Sequence, residues 1–284
     1  MKKFIVFAFS MILSLTAFGQ AQIDTKKVKI ADFTQKITKV VLSGNMFYDA
    51  ALKNNIAAKW HISPFEFCTL DEYNTLRSND NYYFLLTTYG RFEREVKPEI
   101  TFLTIVKGGK DAEKGIEKML EIVSFPFAPA EEPSGREYAF LPIILSSIQN
   151  YIQDSMDHDI NGYLGLSNYT LNLHKSADMT LVFSESDISS DVSDQIKDAC
   201  LDEKIFILKE EEADKFVSEG KEHTLVSYVV APSSAKIGSY CYKMLIDPQD
   251  GTLYYFRKHK ISKKFSAGFL AEDIKRITIP RKIR

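Results

Sequence analysis

One order of β-prone and amphipathic runs occurs twice in this chain, and it leaves few architectures open. In the first copy Val40-Val41-Leu42 is a short apolar strand, and Met46, Phe47, Ala50, Ala51, Ala57 and Trp60 then recur at helical spacing until Ser63-Pro64 breaks the run. Phe65 and Phe67 alternate with Glu66 and Cys68 as a second strand. Thr69 and Glu72, three apart, form a capping box that opens a short helix ending at Leu76. Asn79-Asp80-Asn81 is a turn, and residues 82–89 and 100–106 are two further β-prone runs.

The second copy begins with Leu181-Val182-Phe183 and continues with Val192, Ile196 and Cys200 on one helical face. A strand at 205–208, an acidic helix at 210–219 closed by Gly220, and a strand at 223–230 follow. Residues 240–246 and 252–258 then form a hairpin around Asp247-Pro248-Gln249-Asp250-Gly251. Sliding the chain by 141 residues superposes the copies without a gap. Val41 falls on Val182, Ser43 on Ser184, Ala58 on Ala199, Phe65 on Phe206, Phe67 on Leu208, Leu76 on Val217, Phe84 on Leu225 and Ile105 on Ile246. Such a slide should preserve strand phase, because a slip of one residue swaps the two faces.

The expected fold is α+β (mixed α/β), with two similar β-α-β-α-β-β units, each a mixed sheet carrying packed helices. A further helix is expected after each sheet, at 138–156 and 269–277, with Pro142 in the first turn of the former. The first of these is apolar on several faces and should lie between the units. The expected organisation is a signal peptide at 1–19, a first unit at 20–136, a helix and connecting loop at 137–170, and a second unit at 171–284.

The signal-peptide expectation rests on Lys2 and Lys3, an apolar run at 4–16, and small residues at Ala17 and Gly19. The run is too short for a membrane span, and polar Gln20, Gln22 and Asp24 follow it at once. No later run is long enough to cross a bilayer, so a periplasmic or secreted location is expected. A hydrophobic content of 45% with 26% charged residues describes a packed globular chain rather than a disordered one. Net charge is only −2, but residues 257–284 hold ten Lys or Arg against Glu272 and Asp273, a patch suited to a solvated surface or an anionic partner such as lipid head groups or acidic glycan. Nucleic acid is excluded as a partner by the expected export. Cys68, Cys200 and Cys241 are too few and too widely spaced for a disulfide framework, so buried free thiols are expected, with a Cys200–Cys241 bridge as the alternative.

The sharpest local motif is Asp157-His158-Asp159-Ile160-Asn161-Gly162, which matches the opening of a calcium loop. Asp157, Asp159 and Asn161 would supply side-chain oxygens, but Asn168 stands where the bidentate acid belongs. The alternative is a polar turn, in which the same residue types are common. His61, His158, His174, His223 and His259 show no metal spacing, and no cofactor is expected otherwise. Ser43-Gly44-Asn45 lies between a strand and a helix, where α/β proteins often bind ligands, without being a phosphate-loop sequence. Lys107-Gly108-Gly109-Lys110 also lacks that spacing and is read as a turn. No nucleophile elbow, C-x-x-C or kinase set occurs. The aromatic runs at 82–84, 125–127, 240–242 and 254–256 are expected in the core, with an exposed row for a glycan or protein partner as the alternative.

The segments Phe18-Gly19-Gln20, Leu253-Tyr254-Tyr255-Phe256 and Gly268-Phe269-Leu270 resemble those of uncharacterised exported proteins of Bacteroidetes-type bacteria. That resemblance implies a periplasmic or secreted location and no particular activity. The β-α-β-α-β order is also similar to the amino-terminal domain of the periplasmic protein TolB, at the level of fold. Two functions follow as expectations. One is an exported envelope protein with a non-enzymatic binding or assembly role toward a protein or glycan. The other is a hydrolase whose active site assembles between the two units, near Asp157 and His158.

Overall fold

The computed structural model describes residues 16–18, 30–91, 99–157, 165–201 and 203–282. The first unit runs β2 (Ile37–Val41), α1 (Met46–Lys59), β3 (Phe65–Cys68), α2 (Leu70–Leu76), β4 (Tyr82–Arg91), β5 (Ile100–Lys107) and β6 (Leu120–Pro129). A short strand β1 (Thr16–Phe18) precedes it. The long helix α3 (Arg136–Asp157) leads to the second unit. That unit runs β7 (Thr180–Ser184), α4 (Asp194–Cys200), β8 (Ile205–Leu208), α5 (Glu210–Ser218), β9 (Thr224–Val230), β10 (Tyr240–Ile246), β11 (Leu253–Lys260) and α6 (Ala271–Lys282).

The two sheets have one topology. The first is ordered β3-β2-β4-β5-β6 and the second β8-β7-β9-β10-β11. In each, the first three strands by sequence are parallel and the last two return antiparallel. The duplicated α+β architecture is therefore real, and the Thr69–Glu72 capping box forms as its spacing requires.

The gapless slide, however, does not hold throughout: Leu76 packs on the outer face of its unit but Val217 in the shared core, and one strand is turned over. Phe84 and Leu225 both face the outer side of their sheets, and Ile105 and Ile246 both face the shared core. Val41 faces outward, whereas Val182 stands opposite Val226 on the inner face. The cause is register: Ile37 lies opposite Tyr82, but Thr180 lies opposite Thr224, one residue closer along the chain. An odd change of this kind inverts a strand's faces. The first unit also contains β6, a strand absent from the expected order.

A single apolar core joins the inner faces of both sheets to α3. Leu85, Ile105 and Phe125 enter it from the first sheet, and Val226, Met244 and Ile246 from the second. Phe140 of α3 stacks on Tyr228 with ring centroids 4.1 Å apart, and the Tyr228 hydroxyl donates to the Phe127 carbonyl at 2.6 Å. Smaller clusters cover the outer faces, one around Tyr73 and Phe84, the other around Phe183 and Phe269. Helix α3 begins at Arg136, so Pro142 lies in its second turn and not its first. There it cannot donate to the Tyr138 carbonyl, and that end of the helix is held instead by contacts outside its own ladder.

Candidate functional site

Strand β2 stops at Val41, while β4 beside it runs on to Arg91. The chain turns away from β2 through Ser43, Gly44 and Asn45, with Gly44 at φ +85°, where a side chain would be strained. The Asp49 carboxylate accepts from Ser43 N (2.8 Å), Ser43 Oγ (2.9 Å) and Gly44 N (2.9 Å). Asn45 caps α1, its Oδ1 accepting from Phe47 N and Tyr48 N at 3.1 Å each. The donors of this turn are thus engaged by Asp49 and Asn45. Met46 and Phe47, counted above with the apolar helical set, instead point outward, 74% and 78% exposed.

Beside this turn a crevice of about 520 Å³ opens at the carboxyl end of β2. Its walls are mainly apolar, from Val41, Leu70, Leu86, Phe127, Pro129 and Tyr138. Several of the polar groups within it are paired with neighbours. The Tyr48 hydroxyl and Thr87 Oγ1 are 2.7 Å apart, and buried Glu137 accepts from Gly135 N at 3.0 Å. Burial pushes the Tyr48 phenol above its ordinary range, so it stays neutral. Leu70, Tyr89 and Tyr138 line the crevice and are also exposed, which makes its mouth apolar. The carboxyl ends of parallel strands are where open α/β sheets place their ligands.

The second unit treats the corresponding place differently. Here β7 leaves β9 after Val182 has met Val226, and the next β9 residue, Ser227, is sealed by Arg136 from the start of α3. The guanidinium donates to the Ser227 carbonyl (3.2 Å), to Asp187 Oδ1 (2.8 Å) and to both oxygens of Asp214 (2.9 and 3.0 Å). Phe140 and Tyr228 cover it at 5.0 and 5.6 Å. Burial alone would lower the Arg136 pKa, but the charges of Asp187 and Asp214 raise it beyond its usual value. Compared with protein-family models, curated proteins and solved structures, the chain has no match.

Of the residues singled out from sequence, Ser43, Asn45 and Phe127 meet at the crevice. Asp157 ends α3, exposed, and accepts from Gln153 Nε2 at 2.9 Å, while Asp159, Asn161 and His158 lie outside the described residues. Among the described residues no group of three or more His, Cys, Asp or Glu is arranged to hold a metal. His61 sits at the end of α1, its backbone N–H donating to Gln149 at 2.8 Å, and the His174 ring contacts the Leu171 carbonyl at 2.6 Å. His223 precedes β9 at φ 52°. His259 is half-buried with Nε2 2.8 Å from the Ser266 carbonyl, and burial lowers its pKa. Lys107 binds both oxygens of Asp32 at 2.9 Å, and Gly108 and Gly109 form the expected turn. All three cysteines are buried and free, so the Cys200–Cys241 bridge is absent. The basic tail is not wholly solvated, because Asp273 lies in the core, paired with Lys243 and Arg257. No described helix is long and apolar enough to cross a membrane. Sequence reasoning missed Leu70, Tyr89, Arg136 and Tyr138. The available signal was Met46-Phe47, two large apolar residues in a first turn directly after an N-cap.

Proposed function

We propose that this chain is an exported envelope protein with a non-enzymatic binding role, and that the crevice of its first unit receives an apolar partner. The observation that carries this reading is the combination of an apolar cavity with an exposed apolar mouth at the carboxyl ends of parallel strands. Supporting it, the cavity's Tyr48 and Thr87 hydroxyls pair with each other and Glu137 with the Gly135 N–H, and the charged clusters around Arg136 and Asp273 are internally paired rather than aimed at a reactant. Export is supported by the composition of residues 1–19.

The test is titration with Nile red, a neutral apolar dye. Wild-type protein should bind it with enhanced emission. Leu70→Glu, which places a charge at the mouth, should weaken binding by about 10-fold, equivalent to about 1.4 kcal/mol. Leu171→Glu, at a residue 75% exposed outside the crevice, should leave it unchanged. Equal effects of the two variants, or no binding by the wild type, would overturn the assignment.

A further inference from the structure

The crevice does not end at its apolar walls. It abuts a length of β4 that, on the side away from β5, has no strand partner among the described residues. On the side where β2 lies, β4 is paired with β2 as far as Leu85, opposite Val40. It is paired again from Tyr89, where β1 joins parallel with Thr16 opposite Tyr89, Ala17 opposite Gly90 and Phe18 opposite Arg91. Between these, Leu86, Thr87 and Thr88 have no strand partner on that side among the described residues. Leu86, Thr87 and Tyr89 are also crevice-lining residues. Cavity and open edge are one surface.

We propose that the partner taken here is an extended stretch of polypeptide, which adds as a parallel strand to the β4 edge and places alternate side chains in the crevice. This rests on the crevice being the binding site and names what it binds. Two observations point to a strand and not to a compact apolar molecule. First, the edge already carries an added strand, β1, in the orientation proposed. Second, the duplicate unit closes the same position: past the last β7–β9 pair, the Ser227 carbonyl is capped by Arg136. An unpaired edge is a template for another chain, and folds that do not use one cover it. In the second unit a buried side chain caps this position, whereas in the first the removable strand β1 covers only the neighbouring Tyr89–Arg91.

Residues 16–18 belong to the expected signal peptide, so cleavage after Gly19 vacates the edge. With β1 in place the open stretch is confined to Leu86–Thr88, and without it the open edge runs from Leu86 to Arg91, long enough to seat a strand. Recognition by strand addition draws its affinity from main-chain hydrogen bonds and its selectivity from pockets for alternate side chains.

A labelled peptide of residues 13–20 (Leu-Ser-Leu-Thr-Ala-Phe-Gly-Gln) is titrated against the chain beginning at Gln20 and against the full chain. The described cores begin at Ile30, and matching circular dichroism melts establish that both forms are folded. The peptide should bind the shortened chain and bind the full chain about 10-fold more weakly. Full chain carrying Ala17→Pro, which disrupts β1 in place, should regain binding. Methylating the peptide amides one at a time should abolish binding at alternate positions only, since every other N–H of a strand faces a given neighbour. Indifference to methylation at every position, or failure of the peptide on a chain that still binds Nile red, overturns strand addition and leaves the crevice reading standing. Loss of both ligands overturns both.

Discussion

Asp273 shows how much one carboxylate can organise. It accepts from Lys243 Nζ, the Tyr255 hydroxyl (2.5 Å), Leu270 N (2.9 Å) and Arg257 Nη1 (3.2 Å), and both it and Lys243 are buried. Burial acts to raise its pKa, but the Lys243 charge and these hydrogen bonds outweigh that and hold it below the ordinary carboxylate range. The unfolded chain therefore takes up a proton first as acid is added. The stability that Asp273 contributes is complete above about pH 4 and is lost as pH falls through the lowered native pKa. Asp273→Asn leaves Lys243 as an unpaired buried charge and should cost about 3–5 kcal/mol in urea unfolding at neutral pH. The difference from wild type should shrink in acid; a constant difference between pH 7 and pH 3 would contradict this assignment. In the sequence Asp273 is one acid in a basic tail, and nothing local reveals a partner thirty residues earlier. The cysteines were more legible, because their apolar neighbours announce burial, which pushes the Cys241 thiol up to about 12.

Elements whose signals are local were read correctly, and those decided by neighbours were not. The Thr69 capping box and the Asp250-Gly251 turn form where their residues stand. Strand β6 escaped notice because Pro126 and Pro129 interrupt its pattern. It lies at a sheet edge, paired only with β5, where proline is tolerated. Pro142 was placed a turn too early because α3 extends back to Arg136, a residue held by the second unit rather than by local propensity. Gly251 carries a tertiary duty beyond its turn. At φ +74°, a Cβ added there would meet the Ile143 carbonyl at 2.6 Å and Ser146 Cβ at 2.7 Å, both on α3. The Gly251 carbonyl also accepts from Ser147 Oγ at 2.5 Å. Gly251→Ala should lower stability by about 3 kcal/mol through backbone strain and overpacking, read as a lower urea midpoint with an unchanged slope. A midpoint within error of wild type would mean that the hairpin does not bear on the helix.

For the molecule as a whole, the duplication was visible in the order of elements, but its consequence was not. Two similar units suggest two independent domains, whereas the inner faces of both sheets share one core through α3. Calorimetry should accordingly show one cooperative transition, and residues 171–284 expressed alone should show none, because Val226, Tyr242, Met244 and Ile246 would lose their cover. Two separable transitions would contradict the shared core. Nor could the sequence say which copy keeps an open edge, since that depends on where one arginine reaches across the molecule. Arg136 also bears on helix electrostatics. The first turn of a helix is the positive end of its macrodipole, a place where a cation is unfavourable. Arg136 brings a cation there, and Asp187 and Asp214 together bring two negative charges to meet it. Glu137, in the same turn, already offsets that cation, and the docked second unit tips the balance at that end of α3 to negative. One half of the molecule thus adds countercharge to the start of a helix on which both halves pack.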